Sequence, residues 1–87
     1  MAKYKIKISS TAEKILKKIP KKEISKIIVS IQSLASDPYP VGSRKLAGEE
    51  NVYRIRQGNY RILYEVHGNT LTILVLKIAH RKDVYNR

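Results

Sequence analysis

Apolar and polar positions change period twice along this chain, and each change marks a new kind of element. Tyr4, Ile6 and Ile8 alternate with Lys3, Lys5 and Lys7, the two-residue period of a half-buried strand. From Ser10 the spacing lengthens. Ala12, Ile15, Leu16 and Ile19 follow helical spacing, and Ser10 with Glu13 has the spacing of a capping box. Pro20 breaks that helix, because it lacks an N–H and clashes with the preceding turn. Ile24, Ile27, Ile28, Ile31 and Leu34 then form a second helical stripe. It should stop near Asp37, since a residue before proline is pushed out of the helical region. Residues 37–43, with two prolines and Gly42, read as a loop.

Beyond the loop the period returns to two. Residues 44–46 read as a short strand, and residues 52–57 and 60–66 as clear strands around the two-residue hairpin signal Gly58-Asn59. His67-Gly68-Asn69 turns the chain into residues 71–78, which are apolar on both faces, as expected of a central strand. Residues 80–87 read as a short tail or one or two helical turns. The expected fold is α+β: two N-terminal helices packed on one face of a mostly antiparallel sheet of four or five strands.

Composition narrows the class. With 87 residues and no internal repeat or linker, the chain reads as a single domain over 1–87. Apolar residues make up 43%, enough for a core and too many for a disordered basic tail. Cysteine is absent, which excludes disulfides, thiolate zinc sites and cysteine nucleophiles together. Residues 71–76 form the longest near-continuous apolar stretch, far below the ~18 residues of a membrane span. The N-terminus lacks the apolar block of a signal peptide. No membrane association and a cytoplasmic location are expected.

Charge points to the partner. Eighteen Lys and Arg against seven Asp and Glu leave a formal +11, which suits a polyanion. Anionic membrane is a weaker match, because Phe and Trp anchors are absent. An acidic protein fits the charge as well as a nucleic acid does.

The hairpin concentrates that charge. If Gly58-Asn59 is the turn, Tyr53 faces Tyr64 and Ile55 faces Ile62, which makes one face apolar. On the other face Arg54 lies opposite Leu63 and Arg56 opposite Arg61. Like charges placed opposite each other destabilise a sheet. A phosphate relieves them, because the planar guanidinium fork matches its oxygens. The plainer reading is that the arginines are solvated. His80-Arg81-Lys82-Asp83-Val84-Tyr85 follows the central strand directly, and in a helical tail Arg81 and Tyr85 share a face. A tyrosine ring beside arginines suits an unstacked RNA base, and Tyr85 fits equally well as an apolar anchor for the tail. His80 reads first as a strand-end hydrogen-bonding residue, and His67 as a solvated turn residue.

Three stretches carry a family likeness: Tyr53-Arg-Ile-Arg, Gly58-x-Tyr60-Arg-Ile-Leu-Tyr64 and His80-Arg-x-x-Val-Tyr85. They resemble the RelE toxins of bacterial and archaeal toxin–antitoxin pairs. The hairpin pattern is shared with the wider RelE/ParE superfamily, and the combination of Arg61, Arg81 and Tyr85 is the more specific part. The resemblance implies a ribosome-dependent endoribonuclease that cuts messenger RNA in the ribosomal decoding site. It also implies inhibition by a RelB-like antitoxin, through which alone operator DNA is met. The partners so implied are that antitoxin and the 70S ribosome with its bound messenger RNA.

RNA can be cut without metal when its own 2′-hydroxyl attacks the adjacent phosphate. The enzyme then positions the attack, neutralises developing charge and helps move protons. The seven carboxylates form no ligand-like cluster, so a metal-free mechanism without cofactor is expected. By resemblance, Arg61 and Arg81 hold the scissile phosphate, while Tyr85 stacks on a base or takes part in proton transfer. Arg54 and Arg56 stand where a family member carries lysines, one of them a proposed base. Arginine stays protonated at ordinary pH, so either Tyr85 or His80 is the base, or catalysis rests on orientation and electrostatics. Lys82 and His80 join Arg54 and Arg56 as RNA-binding candidates. Two rival functions share the fold: a ParE-like inhibitor of DNA gyrase and a non-catalytic RNA-binding module.

Overall fold

In a computed structural model that describes residues 3–80, the chain forms β1 (Lys5–Ile8), α1 (Ser10–Leu16), α2 (Lys21–Ser33), β2 (Arg44–Lys45), β3 (Val52–Gln57), β4 (Tyr60–His67) and β5 (Thr72–His80). The five strands make one sheet in the order β1-β5-β4-β3-β2. Three of its pairings are antiparallel. The fourth, β1 with β5, is parallel, with Ile6 opposite Ile73 and Ile8 opposite Val75, so the sheet is mixed. Alternation in β1 reveals a strand but not its neighbour. Parallel partners need a long connection, and here nearly the whole chain lies between them.

The elements share one apolar cluster. Ala12, Ile19, Ile27, Ile31 and Leu34 join Ile55, Ile62, Tyr64, Val66, Ile73, Val75 and Ile78 in it. The contributing sheet residues are cross-strand partners, as in Ile55–Ile62–Ile78 and Val66–Ile73–Ile6, and therefore share a face. Val29, at 65% exposure, stands outside the buried stripe of α2. No helix among the described residues is long and apolar enough to cross a membrane.

The β4–β5 register shifts by one between Leu63 and Tyr64. Leu63 pairs with Lys77 but Tyr64 with Val75, which leaves Leu76 as the extra residue of a β-bulge. The bulge decides orientation. It allows Val75 and Ile78, three residues apart, both to face the core. Ser9 secures it: its N–H donates to the Val75 carbonyl at 2.9 Å and its hydroxyl to the Leu76 carbonyl at 2.8 Å. The same hydroxyl oxygen accepts from the Ala12 N–H at 3.1 Å and so caps α1.

The cap therefore falls one residue earlier than the Ser10–Glu13 pattern suggests. Pairing of Ser9 with β5 holds it extended, at φ −65° and ψ 159°, and the position three residues on is Ala12, which cannot reciprocate. α1 also ends at Leu16, yet Ile19 still reaches the core at 7% exposure. Leu71, read as the start of the last strand, adopts φ 48° in the turn before it. The β3–β4 hairpin matches its expected register at every pair. Gly58 at φ 61° supplies the positive angle that its two-residue turn demands. The expected tail at residues 81–87 lies outside the described residues.

Tyr64 is the bulkiest fully buried side chain. Its hydroxyl donates to the Pro38 carbonyl at 2.6 Å, tying the 37–43 loop to the sheet. Burial pushes its phenol up to about 12. Between roughly pH 10 and pH 12 the unfolded chain loses this proton while the folded chain keeps it. The stabilisation is thus complete below pH 10 and is lost as pH rises through that window, by about 1.4 kcal/mol per pH unit at most. Urea titrations of the parent and Tyr64→Phe should show the parent more stable by about 1 kcal/mol at pH 8. That advantage should shrink and then invert by pH 12; a constant gap would contradict the burial of this phenol.

Ser9→Ala removes a cap and leaves the bulge carbonyl without its donor, and should cost about 1–2 kcal/mol. Ser10→Ala should stay within about 0.5 kcal/mol. Urea midpoints at constant slope check both, and equal losses would contradict the cap at Ser9.

Candidate nucleic-acid interface

Side chains alternate along β3 and β4, so the register that sends Tyr53, Ile55, Ile62 and Tyr64 towards the helices sends Arg54, Arg56 and Arg61 the other way. Arg54 and Arg61 are half-buried and Arg56 is exposed. Arg56 stands directly opposite Arg61, two residues along from the Arg54–Leu63 pair. The hairpin thus brings together all three arginines that alternation grouped.

Neighbouring strands add cations that sequence reading had not placed there. Arg44 on β2 pairs with Arg54, and Lys77 on β5 pairs with Leu63. Lys5 and Lys7 project to this face from β1, opposite Thr72 and Leu74. Seven cationic positions share the face, and Glu65 is its one acidic position among the described residues. The Glu65 carboxylate already meets His67 Nε2 at 2.8 Å. A surface of one sign attracts a polyanion before contact. Neither Arg44, between Ser43 and Lys45, nor Lys77, in a strand apolar on both faces, stands out by its period, and each acquires meaning only once β2 and β5 are known to flank the hairpin.

His80 sits elsewhere. Its partner Tyr60 belongs to the face that carries Ile62 and Ile78, and the two rings meet edge-on at 5.1 Å. The bulge at Leu76 causes this, since uninterrupted alternation from Leu74 would have put His80 on the arginine face. Tyr60 and His80 line a cleft of about 460 Å³ with Ile15, Lys18, Ile19 and Ile78. Arg81, Lys82 and Tyr85 lie outside the described residues. Among those described, no three His, Asp or Glu side chains converge as a metal site. The arginine face can hold phosphate oxygens with guanidinium forks and neutralise charge that develops on them.

A protein-family model described as the ParE toxin of type II toxin–antitoxin systems matches residues 6–85. Toxin RelE3 of Methanocaldococcus jannaschii is 38% identical over 86 residues, covering 94% of this chain and 96% of its own. Toxin RelG of Mycobacterium tuberculosis is 31% identical over 88 residues, covering 97% of this chain and 98% of its own. Among solved structures, the archaeal RelE–RelB complex from Pyrococcus horikoshii superposes with a TM-score of 0.82 at 30% identity. That match covers 91% of this chain and 96% of the other. Family match, relatives and fold agree over almost the whole length: the chain belongs to the RelE/ParE superfamily of type II toxins, as a RelE-type toxin.

Proposed function

We propose that this toxin is a metal-independent endoribonuclease that cuts messenger RNA in the ribosomal A site and so inhibits translation. The observation that carries the proposal is the register-fixed trio Arg54, Arg56 and Arg61 on the sheet face turned away from the core. In the reaction the RNA 2′-oxygen bonds to the adjacent phosphorus and the bond to the 5′-oxygen breaks. A 2′,3′-cyclic phosphate and a 5′-hydroxyl result. The 2′-proton leaves to a base, the 5′-oxygen gains one, and negative charge builds on the non-bridging oxygens between these events.

Arg61 and Arg81 hold those oxygens, and Arg54 and Arg56 add positive potential beside them. None of the four can accept the proton, because guanidinium stays charged. The position of His80 on the Tyr60 side of the sheet favours Tyr85 for stacking and proton transfer. With no strong free base, the ribosome supplies the reactive RNA geometry, a contribution that proximity alone makes large. Lys82 supports RNA binding. An antitoxin of the RelB type is the inhibitory partner, as in the solved complex of the Pyrococcus relative, and operator DNA is reached only through it. The toxin acts in the cytoplasm.

One observation favours a second reading: the matching family model is described by ParE, and ParE-like toxins inhibit DNA gyrase. Cell-free translation with mapping of transcript ends separates the two. Codon-phased cuts within translated regions support the ribonuclease, and supercoiling defects with intact transcripts support gyrase inhibition.

Single-turnover cleavage of ribosome-bound messenger RNA tests the residues. Arg61→Ala should slow it by about 10²–10³-fold, as loss of one transition-state contact does. Tyr85→Ala should be slower than Tyr85→Phe if the ring stacks, and Tyr85→Phe alone should lose about 10²–10⁴-fold if the hydroxyl moves protons. An Arg61→Ala protein that cleaves at the parental rate would sink the assignment.

A further inference from the structure

Two cationic rows cross the sheet on the arginine face. One is Arg56–Arg61–Ala79, and the other is Arg44–Arg54–Leu63–Lys77, running over β2, β3, β4 and β5. They lie two residues apart along the strands, about 7 Å. The second row spans three strand spacings, about 14 Å from Arg44 to Lys77. It ends at Lys77, because the pairing of β1 stops at Ile8, opposite Val75. Arg44 and Lys77 are exposed, and Leu63 between them is half-buried.

We propose that Arg44 and Lys77 form the two ends of a track that holds the phosphodiester backbone of single-stranded RNA across the strands, flanking the reacting phosphate. The proposal rests on the ribonuclease reading and extends it from the reaction centre to substrate grip. Charge complementarity is its basis: three of the four positions in the row are cationic, and the one interruption is a leucine that can pack against a ribose or base. Arg44 offers a fork and Lys77 a point charge, which suits phosphates gripped without regard to sequence. A protein occupant fits less well. Tight protein interfaces centre on a cluster of aromatic or apolar anchors, and the row's one apolar residue, Leu63, lies directly between the cations Arg54 and Lys77. The bulge at Leu76 is what makes the track possible, since it brings Lys77 to the same face as Leu63.

Fluorescence anisotropy of a labelled single-stranded oligouridylate, titrated with Arg44→Ala, Lys77→Ala and the double variant over a range of salt, tests the track. Each single change should weaken binding at low salt and lower the log–log salt slope by about 0.7, with the double variant near twice that. Lys14→Ala on the helical side serves as the control for bulk charge and should leave the slope unchanged. If Lys14→Ala lowers the slope equally, only net charge matters and the track is overturned. If Arg54→Ala and Arg61→Ala lower it while Arg44→Ala and Lys77→Ala do not, the track fails and the ribonuclease reading stands. If none of the four changes it, the RNA reading of the whole face falls. Loss of binding to a RelB-type antitoxin with an intact RNA slope would make the row a protein-docking surface and overturn the proposal.

Discussion

A single residue, Ser9, fastens three parts of this molecule where β1, α1 and β5 meet. Ser9 follows β1 directly, and its one hydroxyl both donates to the carbonyl of the bulged residue Leu76 and accepts from the Ala12 N–H at the start of α1. The bulge in turn decides which side chains of β5 face the helices and which face the arginines. Without the extra residue, Ile78 would leave the core and Lys77 would enter it. Burying a lysine without a partner costs far more than the hydrogen bonds that prevent it. The composition of the cationic face therefore depends on a local defect in an otherwise regular sheet. Bulges commonly re-aim side chains, and this one turns Lys77 towards the arginines.

The sheet interior is built almost entirely from isoleucine, valine and tyrosine, with neither Phe nor Trp in the chain. Tyrosine is a costly substitute where it is fully buried, because its hydroxyl must find a partner. Tyr64 meets that demand with the Pro38 carbonyl, and Tyr53 and Tyr39 continue an aromatic run outwards, with centroid distances of 6.1 and 4.9 Å. The loop between α2 and β2 is thereby attached to the hairpin from below, while the arginines occupy the hairpin from above. One strand pair thus serves the core and the site at once.

Sequence reading succeeded where local rules decide and failed where distant pairing decides. Gly58-Asn59 and strict alternation determined the whole β3–β4 register, and with it the placement of Arg54, Arg56 and Arg61. Both helices were visible from their isoleucine stripes, since helical spacing needs no tertiary information. The parallel partner of β1 was not visible, because no rule of period names a strand's neighbour. Nor was the bulge, because residues 73–76 are all apolar and no alternation shows which of them turn inward. Missing the bulge left Lys77 out of the arginine group. The cap was misread by one residue for a related reason, since the extended backbone of Ser9 is imposed by β5, a partner 67 positions away along the chain.

That same separation governs how the chain comes together. β1 is made first and β5 last among the described strands, yet each is the other's neighbour, so contacts of very long sequence range close the sheet. Such topologies pay loop-closure entropy before they collect burial, and they form slowly. During synthesis the helices and the β3–β4 hairpin are made before β5, the strand that joins the hairpin to β1. The arginine face has no floor until residues 72–80 are released. A chain made only as far as the hairpin therefore carries its arginines on an unfinished sheet, and the cationic face exists as a unit only once β5 has joined β4 to β1.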